Sequence, residues 1–147
     1  MSRKILIGVI GGSECAEEVS NLAEEVGGIV AGKGFVLVCG GLGGVMEAAC
    51  RGAKRKGGLT VGIIPGENKE EANRYCDIVI PTGMGYTRNA LVAGAADVVV
   101  ALSGKYGTLS EIAFALNAKK KVYGIGSWDI DGIEQLSCAN ELRSKLQ

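Results

Sequence analysis

The chain has 147 residues, 47% of them apolar, with 16 basic and 16 acidic side chains. That length suits one domain with a core large enough to fold alone, and that composition excludes a disordered chain. Zero formal net charge speaks against general nucleic-acid binding, and the absence of histidine excludes Ser-His-Asp or Cys-His catalysis and any His-ligated metal.

Residues 4–10 are an apolar run that ends in Gly11, Gly12 and Ser13, which predicts a first strand and a tight turn. Ser13 is placed to cap the next helix, with Glu14, Glu17 and Glu18 in its first turn. That helix carries Val19, Leu22, Ala23 and Val26 at helical spacing and is expected to reach about residues 33–34. Residues 35–39 read as a second strand. The turn Gly40-Gly-Leu-Gly-Gly44 follows, then a helix over 45–56 and a third strand over 59–64, stopped by Pro65 and Gly66. Residues 67–74 are polar and predict a loop or short helix.

A fourth strand is expected over 76–80, closed by Pro81 and Gly83. A helix over 87–96 leads to a fifth strand over 97–102, and a helix over 108–119 leads to a sixth over 121–125. The tail, 133–145, reads as one last helix. Strands that alternate with helices and are apolar on both faces predict a parallel sheet covered on two sides. The expected fold is a single α/β domain over residues 1–147, a Rossmann-like, doubly wound sheet of six strands in the order 3-2-1-4-5-6. Ligands in such sheets bind beyond the C-terminal strand ends, and the 24 glycines concentrate there.

The 40–44 turn before a helix suits a phosphate cradle, through Gly41, Gly43 and Gly44, as well as it suits a turn that needs close backbone packing. Ser103-Gly-Lys-Tyr-Gly-Thr-Leu-Ser-Glu111 opens a helix from a strand end. Gly104, Lys105, Gly107 and Thr108 there offer backbone N–H groups, a helix dipole and a cation to an anion. Gly11 and Ser13 join the same candidate site from strand 1. Thr108-x-x-Glu111 is also a capping-box pattern, in which the glutamate only reaches back to the cap. Arg88, alone, reads as a solvated helix residue. Trp128 reads as core, interface or ligand platform.

The five cysteines form no Cys-x-x-Cys pair, so they read as packing groups in a reducing compartment, and a cytoplasmic location is expected. The first strand is too short and too glycine-broken for a signal peptide. No Gly-x-Gly-x-x-Gly follows strand 1, and the Gly-Lys-Ser/Thr phosphate-loop pattern is missing. No cofactor or metal is therefore expected.

In order along the chain, Gly40-Gly-Leu-Gly-Gly-Val-Met46, Val61-Gly-Ile-Ile-Pro65, Arg88-Asn89 and Ser103-Gly-Lys-Tyr-Gly-Thr-Leu-Ser-Glu111 resemble the LOG family. These are the cytokinin riboside 5′-monophosphate phosphoribohydrolases, often misnamed lysine decarboxylases. The match is to a short prokaryotic branch that also resembles molybdenum cofactor carrier proteins. The family pattern is Pro-Gly-Gly-x-Gly-Thr-x-x-Glu after an Arg-Lys helix. Here Ser103 stands for the proline, Lys105 for the second glycine and Asn89 for the lysine.

The resemblance implies cleavage of the N-glycosidic bond of a purine nucleoside 5′-monophosphate such as AMP. Arg88 would orient the phosphoribosyl group and Glu111 would stabilise the developing sugar cation, with Asn89 beside them. The alternative is a non-catalytic binder of a nucleotide or molybdenum cofactor using the same cleft. No lysine stands out as a Schiff-base residue, so a pyridoxal-phosphate decarboxylase has only the misnomer behind it. The expected partners are a small-molecule nucleotide and further copies of the chain, as a homodimer or dimer of dimers, with no nucleic acid and no membrane.

Overall fold

The computed structural model describes residues 2–147. Seven parallel strands form one sheet: β1 (Leu6–Gly11), β2 (Val36–Cys39), β3 (Thr60–Ile64), β4 (Ile78–Pro81), β5 (Val98–Leu102), β6 (Lys121–Ile125) and β7 (Ile133–Gln135). Their order across the sheet is β4-β3-β2-β1-β5-β6-β7. Five helices cover it: α1 (Glu17–Gly32), α2 (Val45–Arg55), α3 (Asn89–Ala95), α4 (Tyr106–Asn117) and α5 (Ala139–Lys145). This is the Rossmann-like α/β fold that the strand–helix alternation predicts.

Alternate residues of each strand divide two cores. Val9, Leu37, Cys39, Val100 and Leu102 face α1, α2 and α5. Ile10, Val38, Val99 and Ala101 face α3 and α4. Burial on both faces is why these strands read as continuous apolar runs. Helices α1 and α2 approach so closely that a Cβ on Gly27 would lie 1.9 Å from the Ala49 carbonyl oxygen, and one on Gly52 1.9 Å from that of Glu24. The two glycines let the backbones meet, and Glu24 binds Arg51 and Arg55 across the same seam.

Two expectations about topology are corrected. The fourth strand does not insert between β1 and β5; it lies at the sheet edge, paired with β3, and β1 pairs directly with β5. The physical reason shows in its side chains: Ile78 and Ile80 are 46% and 45% exposed, which no central strand would tolerate. Between β3 and β4 the chain makes only a short 3₁₀ turn, Lys69–Glu71, capped by Asn68 and Glu71, so nothing carries it across the sheet. The tail is not one helix. Residues 133–135 pair with β6 as a seventh strand, and only the last stretch coils into α5.

This order places the topological switch point between β1 and β5, where the chain, having wound outward to β4, returns through α3 to the other side of β1. β1 and β5 stay paired to Gly11 and Leu102, and the connections that follow them lead to α1 and α4 on opposite faces of the sheet, which opens a crevice there.

Candidate functional site

The crevice is a cavity of about 390 Å³, a size that fits a small-molecule site. One wall is the turn after β1, with Gly11, Gly12, Ser13 and Glu14. The opposite wall is the turn after β5, from Ser103 to Thr108, and Glu111 on α4. Leu42 from the 40–44 turn and Met46 from the first turn of α2 supply an apolar surface, and Tyr86 and Arg88 enter from the segment before α3 with Asn89 at its start.

Of the residues expected at the site, Gly11, Ser13, Arg88, Asn89, Gly104, Lys105, Gly107, Thr108 and Glu111 all line this cavity. Gly41, Gly43 and Gly44 do not. The glycines of the 40–44 turn pack closely against their neighbours, while Leu42 of the same turn lines the cavity. A Cβ on Gly44 would lie 2.3 Å from the Gly12 carbonyl oxygen, and the first helical N–H of α2, from Val45, already donates to that same oxygen at 3.0 Å. Gly41 sits against Ile64 and accepts from the Asn73 N–H. Ser13 caps nothing; α1 starts at Glu17 after Ala16. Its backbone instead abuts Gly43 and Gly44, which fixes it at the cavity lip.

The turn after β5 is more strained than its glycines suggest. Ser103 has φ of 50° and Gly104 has φ of 94°. A left-handed non-glycine residue costs roughly 1–3 kcal/mol, so the surroundings must hold it. Ser127 Oγ donates to the Ser103 carbonyl at 2.6 Å, and Trp128 Nε1 donates to the Lys105 carbonyl at 3.0 Å. Trp128 also packs against Tyr106, with ring centroids 6.2 Å apart. It thus braces the turn after β5 from behind. Lys105 is exposed and its side chain has no hydrogen-bond partner among the described residues.

The capping-box reading of Thr108 and Glu111 is not what the structure shows. Helix α4 begins at Tyr106, with Lys105 as its cap, so Thr108 is already inside the first turn. Glu111 lies a turn deeper, buried at 6% exposure, and its carboxyl makes no hydrogen bond among the described residues. Burial pushes its pKa up to about 8, against the opposing pull of Arg88. Burial thus favours the neutral carboxyl, which can both donate and accept.

Arg88 is likewise buried rather than solvated. Its Nε donates to the Ile63 carbonyl at 2.9 Å and its Nη2 to the Gly40 carbonyl at 3.3 Å, while Nη1 binds Asn89 Oδ1. Burial lowers its pKa, with the Glu111 charge opposing. A Cβ on Gly40 would lie 2.6 Å from Nη2, so that glycine exists to admit the guanidinium. Asn89 Nδ2 in turn donates to Ser110 Oγ at 3.1 Å, which ties the arginine to α4.

The residues that sequence reasoning missed are Gly12, Glu14, Leu42, Met46, Tyr86 and Ser103. Leu42 had a signal, as the one apolar side chain inside a glycine-rich turn, whereas Met46 reads as a core residue of α2 and does pack into the core. Tyr86 is 88% exposed at the rim, which no periodicity announces.

The chain is similar to proteins with different described functions. A protein described as uncharacterized, from Archaeoglobus fulgidus, is 51% identical over 116 residues, covering 79% of this chain and 76% of that protein. A cytokinin riboside 5′-monophosphate phosphoribohydrolase of Mycobacterium tuberculosis is 38% identical over 99 residues, 65% of this chain; the match spans only 52% of that enzyme. The structure of the molybdenum cofactor binding protein from Rippkaea orientalis superposes with a TM-score of 0.94 at 34% identity, covering 99% of this chain and 97% of that one. The model of the SLOG cluster4 family matches residues 4–145, and the chain belongs to that family.

Proposed function

We propose that the cavity binds a phosphorylated heterocycle, either a purine nucleoside 5′-monophosphate or the phosphorylated pterin of a molybdenum cofactor, and holds it without turnover at neutral pH. The observation that carries this reading is Glu111. A buried carboxyl with no protein partner, protonated near neutrality, lines the cavity and suits hydrogen bonds to a ring or sugar. A neutral carboxyl is poorly suited to stabilise an oxocarbenium ion. The phosphate would lie against the N-terminus of α4 and Lys105, and the ring against Leu42, Met46 and Tyr86. The likeness to the molybdenum cofactor binding protein over nearly the whole of both chains supports the same reading.

Calorimetric titration with AMP and with phosphorylated pterin tests it. One ligand per chain is expected, with at least tenfold weaker binding in Lys105→Glu. No binding of either ligand by the wild type would overturn the reading.

Hydrolysis of the N-glycosidic bond is the second reading, favoured by Arg88 and Glu111 lining one cavity. It makes a distinct forecast. Base release would rise with pH as Glu111 ionises through about 8.

We also infer that the chain self-associates. Leu91 on α3 is 42% exposed and Phe114 on the adjacent α4 is 47% exposed, on helices whose Val92, Ala93, Ile112 and Ala115 are buried. A second copy of the chain is the partner that would cover this surface.

A further inference from the structure

Three of the five cysteines converge on the face of the sheet covered by α2. Cys39 ends β2, Cys50 lies in the middle of α2, and Cys76 stands just before β4. Their sulfurs all lie within 4.8 Å of one another, and Cys39 and Cys50 are 3.5 Å apart. The sequence spacing hides this, because the three come from separate elements 11 and 26 residues apart.

We propose that Cys39, Cys50 and Cys76 form a three-thiolate site for one soft d¹⁰ cation of the cuprous class. The geometry suits such an ion. A cation about 2.3 Å from each of three sulfurs in a plane spaces them roughly 4 Å apart, a spacing close to that of sulfurs that all lie within 4.8 Å of one another. The donor set also selects the ion. No histidine exists in the chain, and no other Cys, Asp or Glu joins the three among the described residues. A structural zinc site needs a fourth ligand, whereas soft thiolate donors favour Cu(I).

The site is built in two further respects. The Gly41 N–H donates to Cys39 Sγ at 3.3 Å, a contact that favours a thiolate. A Cβ on Gly62 would lie 2.6 Å from Cys76 Sγ, so glycine at that position makes room for the sulfur. Cys39 and Cys50 are buried and Cys76 is half-buried, which leaves one ligand as the point of entry. Each ligating thiol releases its proton to solvent on binding, so affinity rises with pH.

The test is an anaerobic titration of the reduced full chain with Cu(I) presented as its bicinchoninate complex, followed by X-ray absorption at the copper edge. The wild type should withdraw one Cu(I) per chain and show a three-sulfur shell. Cys76→Ser should bind at least tenfold more weakly. A variant carrying both Cys15→Ser and Cys138→Ser, which changes only the exposed cysteines, should bind as the wild type does. The proposal falls if the wild type withdraws no copper, if the shell contains fewer than three sulfurs, or if binding follows Cys15 and Cys138 instead. The shell measured on the wild type decides the matter even if Cys76→Ser does not fold.

Discussion

Glu111→Gln should make the protein more resistant to alkaline destabilisation. The wild-type carboxyl has a folded pKa of about 8, against an ordinary value of 4.5, because burial disfavours its charge. A carboxyl whose folded pKa is raised binds more protons in the native state than in the unfolded state between those two values. Stability therefore falls as pH rises through that window. The contribution is fully present below about 4.5 and is lost as pH climbs through about 8. At 1.36 kcal/mol per pK unit, the loss between pH 5 and pH 8 is roughly 3 kcal/mol. Glutamine has the same shape and cannot ionise, so the variant lacks this term. Guanidinium unfolding at pH 5, 6.5 and 8 reads it directly. The difference in unfolding free energy, variant minus wild type, should grow by about 3 kcal/mol from the first pH to the last. Parallel profiles for the two proteins would refute the reasoning, because they would mean that Glu111 ionises as readily folded as unfolded.

Gly104→Ala should destabilise the fold by roughly 1–3 kcal/mol and weaken AMP binding, since the residue has φ of 94° and a Cβ would lie 2.2 Å from Thr108 Oγ1; denaturant melts and calorimetry check the two effects. Trp128→Phe keeps most of the packing but removes the indole bond to the Lys105 carbonyl, so it should cost about 1 kcal/mol and reduce affinity for AMP. Light scattering should show a dimer or tetramer for the wild type and a monomer when Leu91→Asp and Phe114→Asp are combined.

The fold was legible because its strands are buried on both faces and end in glycines. Pattern alone fixes that kind of element well. Strand order was not legible, because it depends on which strand can bear exposure, and Ile78 and Ile80 look as apolar as any core pair. The turn after β5 announced its contribution to the cavity through the glycines and Thr108. The 40–44 turn carried two readings, because a glycine needed for close packing has the same letter as one needed for a phosphate, and its close packing is one of them. The burial of Glu111 and Arg88 was not legible, since both residue types are usually solvated. The cysteine cluster was invisible because its members meet only through the packing of β2, α2 and the approach to β4.

A single-turnover incubation of AMP with excess protein at pH 7, with bound nucleotide and free adenine measured in the same sample, tests the central claim most directly. The account predicts intact AMP retained by the protein and no adenine. Appearance of adenine and ribose 5-phosphate, abolished by Glu111→Gln, would contradict it and establish the hydrolase.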